Sequence, residues 1–171
     1  NADINASAAI AGTKIAPDFG SQNISTTGRV LLGTSSSRTV FGNHNALQIE
    51  GLGGGANGFS IARNTNDAFY PYITLGKSRG TSLGSSTIVQ DDDVTGLISF
   101  NAADGTDMSS QTAHIESAVD GTPGSNDTPG RLVFSTTADG ANNATERMRI
   151  DSSGRIIQRY SADPYNDRAL T

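Results

Sequence analysis

Gly53, Gly55 and Gly58 fall in the pattern Gly-x-Gly-x-x-Gly, which in a dinucleotide fold lets a pyrophosphate approach the amino terminus of a helix. Here the glycines run into Phe59 and Ile61, which alternate with Gly58, Ser60 and Ala62 as a strand does, so no helix dipole faces the anion. A glycine-rich hairpin loop is the expected reading. Gly76, Lys77 and Ser78 resemble the end of a phosphate loop, but the glycine required five positions upstream is Pro71. Asp91, Asp92 and Asp93 offer carboxylates to calcium without the alternating ligands, turn glycine and distal glutamate of a calcium hand, and are expected to form a solvated acidic turn.

His44 and His114 stand alone, with no ligand partner at helical spacing, and the chain has no cysteine. His114 is expected to be structural, on the strand face opposite Ala113 and Ile115. The three glutamates, Glu50, Glu116 and Glu146, lie far apart, so no paired carboxylates for glycosidic cleavage are legible, and no Gly-x-Ser-x-Gly elbow carries a nucleophile. Asn5, Asn23, Asn126 and Asn143 begin Asn-x-Ser/Thr triplets, about as many as the composition yields by chance. No catalytic, cofactor-binding or metal-ligating residue is expected, and receptor-binding positions are unassigned.

The elements behind these residues are short. Among 171 residues, 71 are Gly, Ser, Thr or Asn, and only 34 are Leu, Ile, Val or Phe. So few core formers, with a net charge of only -5, point away from disorder and towards a chain that shares its core with neighbours. The acidic balance gives no basic field for nucleic acid or anionic lipid. No stretch approaches the roughly 20 apolar residues that cross a bilayer, so a soluble chain without membrane insertion is expected. The first residue is Asn1, which fits a processed product or a part of a longer chain.

Residues 1–33 read as an extended stem or linker, in which Ile4, Ile10, Ile15, Phe19 and Ile24 follow neither a helical nor a strand period. One helical turn around Ala6 to Ala11 is compatible with it. Residues 34–90 form a β-rich segment: Leu47 and Ile49 alternate with Gln48 and Glu50, an Asn57-Gly58 turn follows, and Phe59 and Ile61 repeat the alternation. Phe69, Pro71, Ile73 and Leu75 alternate with Tyr70, Tyr72 and Thr74 as a strand that proline restricts to an edge or a bulge.

Residues 91–159 read as an antiparallel meander with strands at 94–101, 112–119, 131–136 and 146–150, and 160–171 as a tail. Within the meander, Gly96, Ile98, Phe100 and Asp104-Gly105 recur as Gly130, Leu132, Phe134 and Asp139-Gly140, a short similarity that ordinary hairpin grammar also yields. Met148 and Ile150 are expected inward, with Arg147 and Arg149 outward. These arginines would be solvated edge charges or partners for acidic residues of a neighbouring chain.

Four segments carry a resemblance: Ile4 to Gly28; Gly96-Leu-Ile-Ser-Phe; Pro129-Gly-Arg-Leu-Val-Phe-Ser-Thr-Thr137; and Glu146-Arg-Met-Arg-Ile-Asp-Ser-Ser-Gly154. They resemble bacteriophage tail-fibre proteins, especially those of cyanophages. The resemblance implies an all-β, elongated homotrimeric fibre of short antiparallel strands and hairpins with an extended N-terminal stem, carried outside the cell as a virion appendage. It implies attachment to the host surface without enzymatic activity, and as partners the chain itself, other tail or baseplate proteins, and a host polysaccharide or protein receptor. Multivalent adhesion through three weak sites is the expected mechanism, with Tyr70, Tyr72, Tyr160 and Tyr165 either stacking on sugars or packing against a neighbouring chain. A polysaccharide-degrading tailspike-like enzyme and a purely structural connector or capsid decoration are the alternatives. Asn166, Asp167 and Arg168 lack the serine that begins a self-cleaving chaperone in such fibres, and no autocleavage is expected.

Overall fold

A computed structural model describes residues 26–53 and 58–159. The described residues form strands and no helix. Two short strands, β1 (Val30–Leu32) and β2 (Leu47–Ile49), pair in parallel. Five more make one antiparallel sheet in chain order: β3 (Val94–Ala102), β4 (Ser110–Val119), β5 (Gly130–Thr136), β6 (Thr145–Ile150) and β7 (Ile156–Gln158). The expected meander is therefore present, extended by one strand.

Turn chemistry closes each hairpin where the sequence places Asp, Asn and Gly. In the β3–β4 turn, Asp104 accepts the backbone N–H of Thr106 (2.8 Å) and the hydroxyl of Ser110 (2.7 Å), anchoring both ends of the loop. Between β6 and β7, Asp151 accepts the N–H groups of Ser153 and Arg155 and the Arg155 guanidinium. Gly154 adopts φ 77° there, a conformation that glycine reaches without strain.

Partners across an antiparallel ladder share a face, so the register assigns the two faces of the sheet. One carries Ile98, Ile115, Phe134 and Met148 in one row and Leu132, Ile150 and Ile156 in the next. The other carries Ser99, His114, Ser135 and Glu146, then Leu97, Glu116, Val133, Arg149 and Ile157. The recurrent Gly-x-Ile/Leu-x-Phe pattern thus lays Ile98 and Phe100 on β3 and Leu132 and Phe134 on β5 along one apolar face, flanking β4.

Only Ala118, Val119 and Val133 form a buried hydrophobic core among the described residues, accompanied by Ser135 and Asp151. Two valines worth about 1.5–3 kcal/mol each and one alanine methyl worth about 0.8 kcal/mol when buried are few against the roughly 1–2 kcal/mol of backbone entropy lost at every ordered residue.

Two expectations are corrected. Leu47–Ile49 does not fold back on Phe59 and Ile61; it pairs in parallel with Val30–Leu32, joined by the Ala46 carbonyl to Val30 N–H bond (2.8 Å). The run from Phe69 to Leu75 is no strand and belongs to no ladder among the described residues. Tyr160, Tyr165, Asn166 to Arg168 and the turn around Ala6 to Ala11 lie outside the described residues.

Candidate functional site

The sheet presents two surfaces of different chemistry. On the polar face the side chains satisfy one another. Gln111 donates to the Ser99 hydroxyl (2.9 Å), Ser99 donates to Asn101 Oδ1 (2.6 Å), and His114 Nδ1 meets Gln111 Oε1 (3.0 Å). His114 therefore sits where its strand position predicts, opposite Ile115, as part of a hydrogen-bonded ladder. His44 is likewise bound at both ring nitrogens, to the Ser37 hydroxyl (2.8 Å) and the Thr39 hydroxyl (3.0 Å), and pins the loop between β1 and β2.

Arg149 is neither a solvated edge charge nor an unpaired one. It lies on β6, inside the sheet between β5 and β7, and its guanidinium grips Glu146 through Nε at 2.6 Å, with Arg159 adding a second contact at 2.9 Å. The Arg149 hydrogen bond, opposed by burial and reinforced by Arg159, holds the Glu146 carboxyl down at about 2. Arg147 turns instead to the Thr136 hydroxyl (3.0 Å).

The triple aspartate is a structural corner. Arg79 clamps Asp93 through two bonds of 2.6 and 2.7 Å and holds its carboxyl well below the usual range. Asp92 and Asp120 pair with Arg131, and Asp91 accepts the Gly121 N–H. With those oxygens engaged, no group of three potential ligands gathers among the described residues. Glu50 is held by Arg38 at 2.7 Å. Neither Glu50 nor Glu146 is thus a free carboxylate, and Glu116 lies on the polar face in the row of Val133.

Gly53 lies in a bend, Gly55 lies outside the described residues, and Gly58 leads into Phe59 to Ala62, which form no strand, so the hairpin expected around this loop is not present among the described residues. Lys77 lines a shallow cleft of about 640 Å3 with Gly76, Ser78, Ser85, Thr87 and Ser125. Its hydroxyls and single ammonium can hydrogen-bond a polyol. Sequence reading missed this cleft because its walls come from two loops about 40 residues apart, which no local spacing links.

The second surface is the apolar face, and it is open. Ile98 is 54% exposed, Phe100 50% and Ile156 70%, with Leu132 and Ile150 also partly uncovered. Next to it, the chain from Phe59 to Leu75 exposes Phe59, Phe69, Tyr70, Tyr72 and Ile73. A soluble monomer rarely leaves a contiguous apolar patch beyond a few hundred Å2. What such a surface can do is associate with another apolar surface.

The sequence matches no protein-family model and no curated protein. Among solved structures, it superposes on the carboxy-terminal domain of the bacteriophage T5 L-shaped tail fibre with a TM-score of 0.53 at 17% identity. The fold is that of a tail-fibre domain. The match covers 82% of this chain and 49% of the other, so the chain spans about half the length of its structural neighbour. At that identity the likeness concerns the tail-fibre fold, all-β with an antiparallel sheet, and it agrees with the fold class expected from the sequence. No described helix is long and apolar enough to cross a membrane.

Proposed function

We propose that the chain is a segment of a virion fibre, a homotrimer on a phage-like particle that attaches to the host surface by multivalent adhesion and performs no catalysis. The observation that carries this reading is the open apolar face on a tail-fibre fold: Ile98, Phe100, Leu132, Ile150 and Ile156 share one surface that the single chain leaves in solvent. Three copies facing one another across these rows supply the core that one copy lacks. Residues 1–33 serve as the stem, 34–90 and 91–159 as the β-rich body and 160–171 as the tail. Other tail or baseplate proteins hold one end, and a host polysaccharide or protein receptor is the ligand of the other. Three weak receptor contacts on one rigid body reinforce each other through effective concentration.

Binding of labelled protein to bacterial cells tests the reading. Saturable adhesion is expected from the wild type and a loss of at least tenfold in avidity from the Ile98→Lys variant. Binding to virions with no adhesion to any host cell would replace the attachment role with that of a connector. New reducing ends released from host capsule would restore the depolymerase.

A further inference from the structure

Between Gly58 and Ser78 the chain carries no strand and bends at residues 66–68, and among the described residues no backbone group in it hydrogen-bonds to another backbone group. Among the described residues one backbone N–H of this stretch is bonded: that of Phe69 donates to the Asp67 carboxylate (2.9 Å). Residues 63–69 form the bend, where Arg63 pairs with Asp67 and lies 5.5 Å over the Phe69 ring. The two legs, 59–62 and 70–75, face each other across an apolar cleft of about 270 Å3 lined by Phe59, Ile61, Pro71, Tyr72 and Ile73. This is a hairpin in outline whose legs are not bonded to each other.

We propose that these two legs become β-strands only in the assembly, each hydrogen-bonded to a leg of a neighbouring copy of the same chain. The inference rests on the fibre reading above and names the segment through which copies interlock. A run of unpaired N–H and C=O groups is a template for another strand once it extends. Its side chains are apolar on both sides of the backbone, with Phe69, Ile73 and Leu75 alternating with Tyr70 and Tyr72, the pattern of a strand covered on both faces. Pro71 lacks a donor, which leaves it without an N–H to offer on one edge of its leg.

Two observations make the occupant a copy rather than a transient partner. At about 150–250 Å2 per aromatic side chain, Phe59, Phe69, Tyr70 and Tyr72 alone leave roughly 400–700 Å2 open, half or more of the ~800 Å2 each side contributes to a standard stable interface, with Ile61, Ile73 and Leu75 exposed beside them. The segment is also continuous with the apolar sheet face, because Leu75 sits against Gly96 of β3. A surface needed for the chain's own core must be covered whenever the chain is folded, and another copy is the partner that is always present in equal amount.

Hydrogen exchange and light scattering on one sample of the full chain test this. The expected result is an oligomer in which the amides of 72–76 exchange about a hundredfold more slowly than those of the exposed Asp104–Asp107 turn. An oligomer in which 72–76 exchange as fast as that turn overturns the strand proposal and leaves the fibre reading standing. A folded monomer overturns both, whether or not these amides are protected.

Discussion

Leu75 lies directly on the backbone of Gly96: a Cβ at position 96 would come within 2.9 Å of Leu75 Cβ and 3.1 Å of its Cδ1. Gly96 stands at a bulge in β3, in the row of Ser117, Leu132 and Ile150, so the segment is seated on the edge of the apolar face. A Gly96→Ala substitution meets a Cβ that cannot swing away as a side-chain tip can. The expected cost is about 1–2 kcal/mol by overpacking, read from urea unfolding, with faster exchange of 72–76. An unchanged unfolding curve would show that the segment is not seated there.

The apolar face makes a prediction with two distinct outcomes. On a monomer, Ile98→Lys replaces a half-exposed side chain and changes stability by no more than about 0.5 kcal/mol. Facing a neighbouring copy, the same lysine becomes an unpaired charge at an interface, with a cost of about 2–5 kcal/mol. Sedimentation of Ile98→Lys is expected to show dissociated chains that have lost the native circular dichroism, because one copy alone lacks a core; an Ile98→Lys protein that stays assembled would show that this face is not the interface.

The strands of the meander were legible in the sequence for a physical reason. Ile98 and Phe100 alternate with Ser99 and Asn101, and Asp104-Gly105, Pro129-Gly130 and Asp151 to Gly154 supply the turn chemistry between strands. Leu47–Ile49 was legible as β, whereas Val30–Leu32 reads as part of the stem and not as its parallel partner, because three residues contain too little of a period to specify a strand or its partner. The run from Phe69 to Leu75 shows the same limit: alternation suits a strand, and says nothing of what the backbone bonds to. Glu146 with Arg149, at a separation of three on a strand, escaped notice because strand residues three apart ordinarily face opposite ways. The register shift between Phe134 and Ser135 brings them to one side.

Glu146 sets an acid limit. Its carboxyl falls from the ordinary 4.5 to about 2 in the folded chain. A depressed folded value means that the ion pair stabilises fully above pH 4.5, and that this contribution decays as the pH drops from 4.5 towards 2. Glu146→Gln is expected to lower stability by about 1–3 kcal/mol at pH 7 and to flatten the decline between pH 4.5 and 2. A variant that follows the wild-type acid curve would exclude Glu146 as its source.

Asp151 holds the β6–β7 turn through two backbone N–H groups and Arg155, at 2.9, 3.0 and 2.7 Å. These bonds also lower its pKa. Asp151→Ala leaves those donors without an acceptor, so the melting temperature is expected to fall by several degrees, with β7 the first strand to lose protection from exchange. Asp151→Asn keeps an acceptor and should retain part of the loss. Equal melting of all three proteins would contradict this role.

The mass of the folded chain in solution is the decisive quantity. Multi-angle light scattering at micromolar concentration should return three times 17.7 kDa, unchanged on tenfold dilution, with cooperative unfolding. A folded species of one chain mass, melting cooperatively with Ile98 and Phe100 in solvent, would contradict the account.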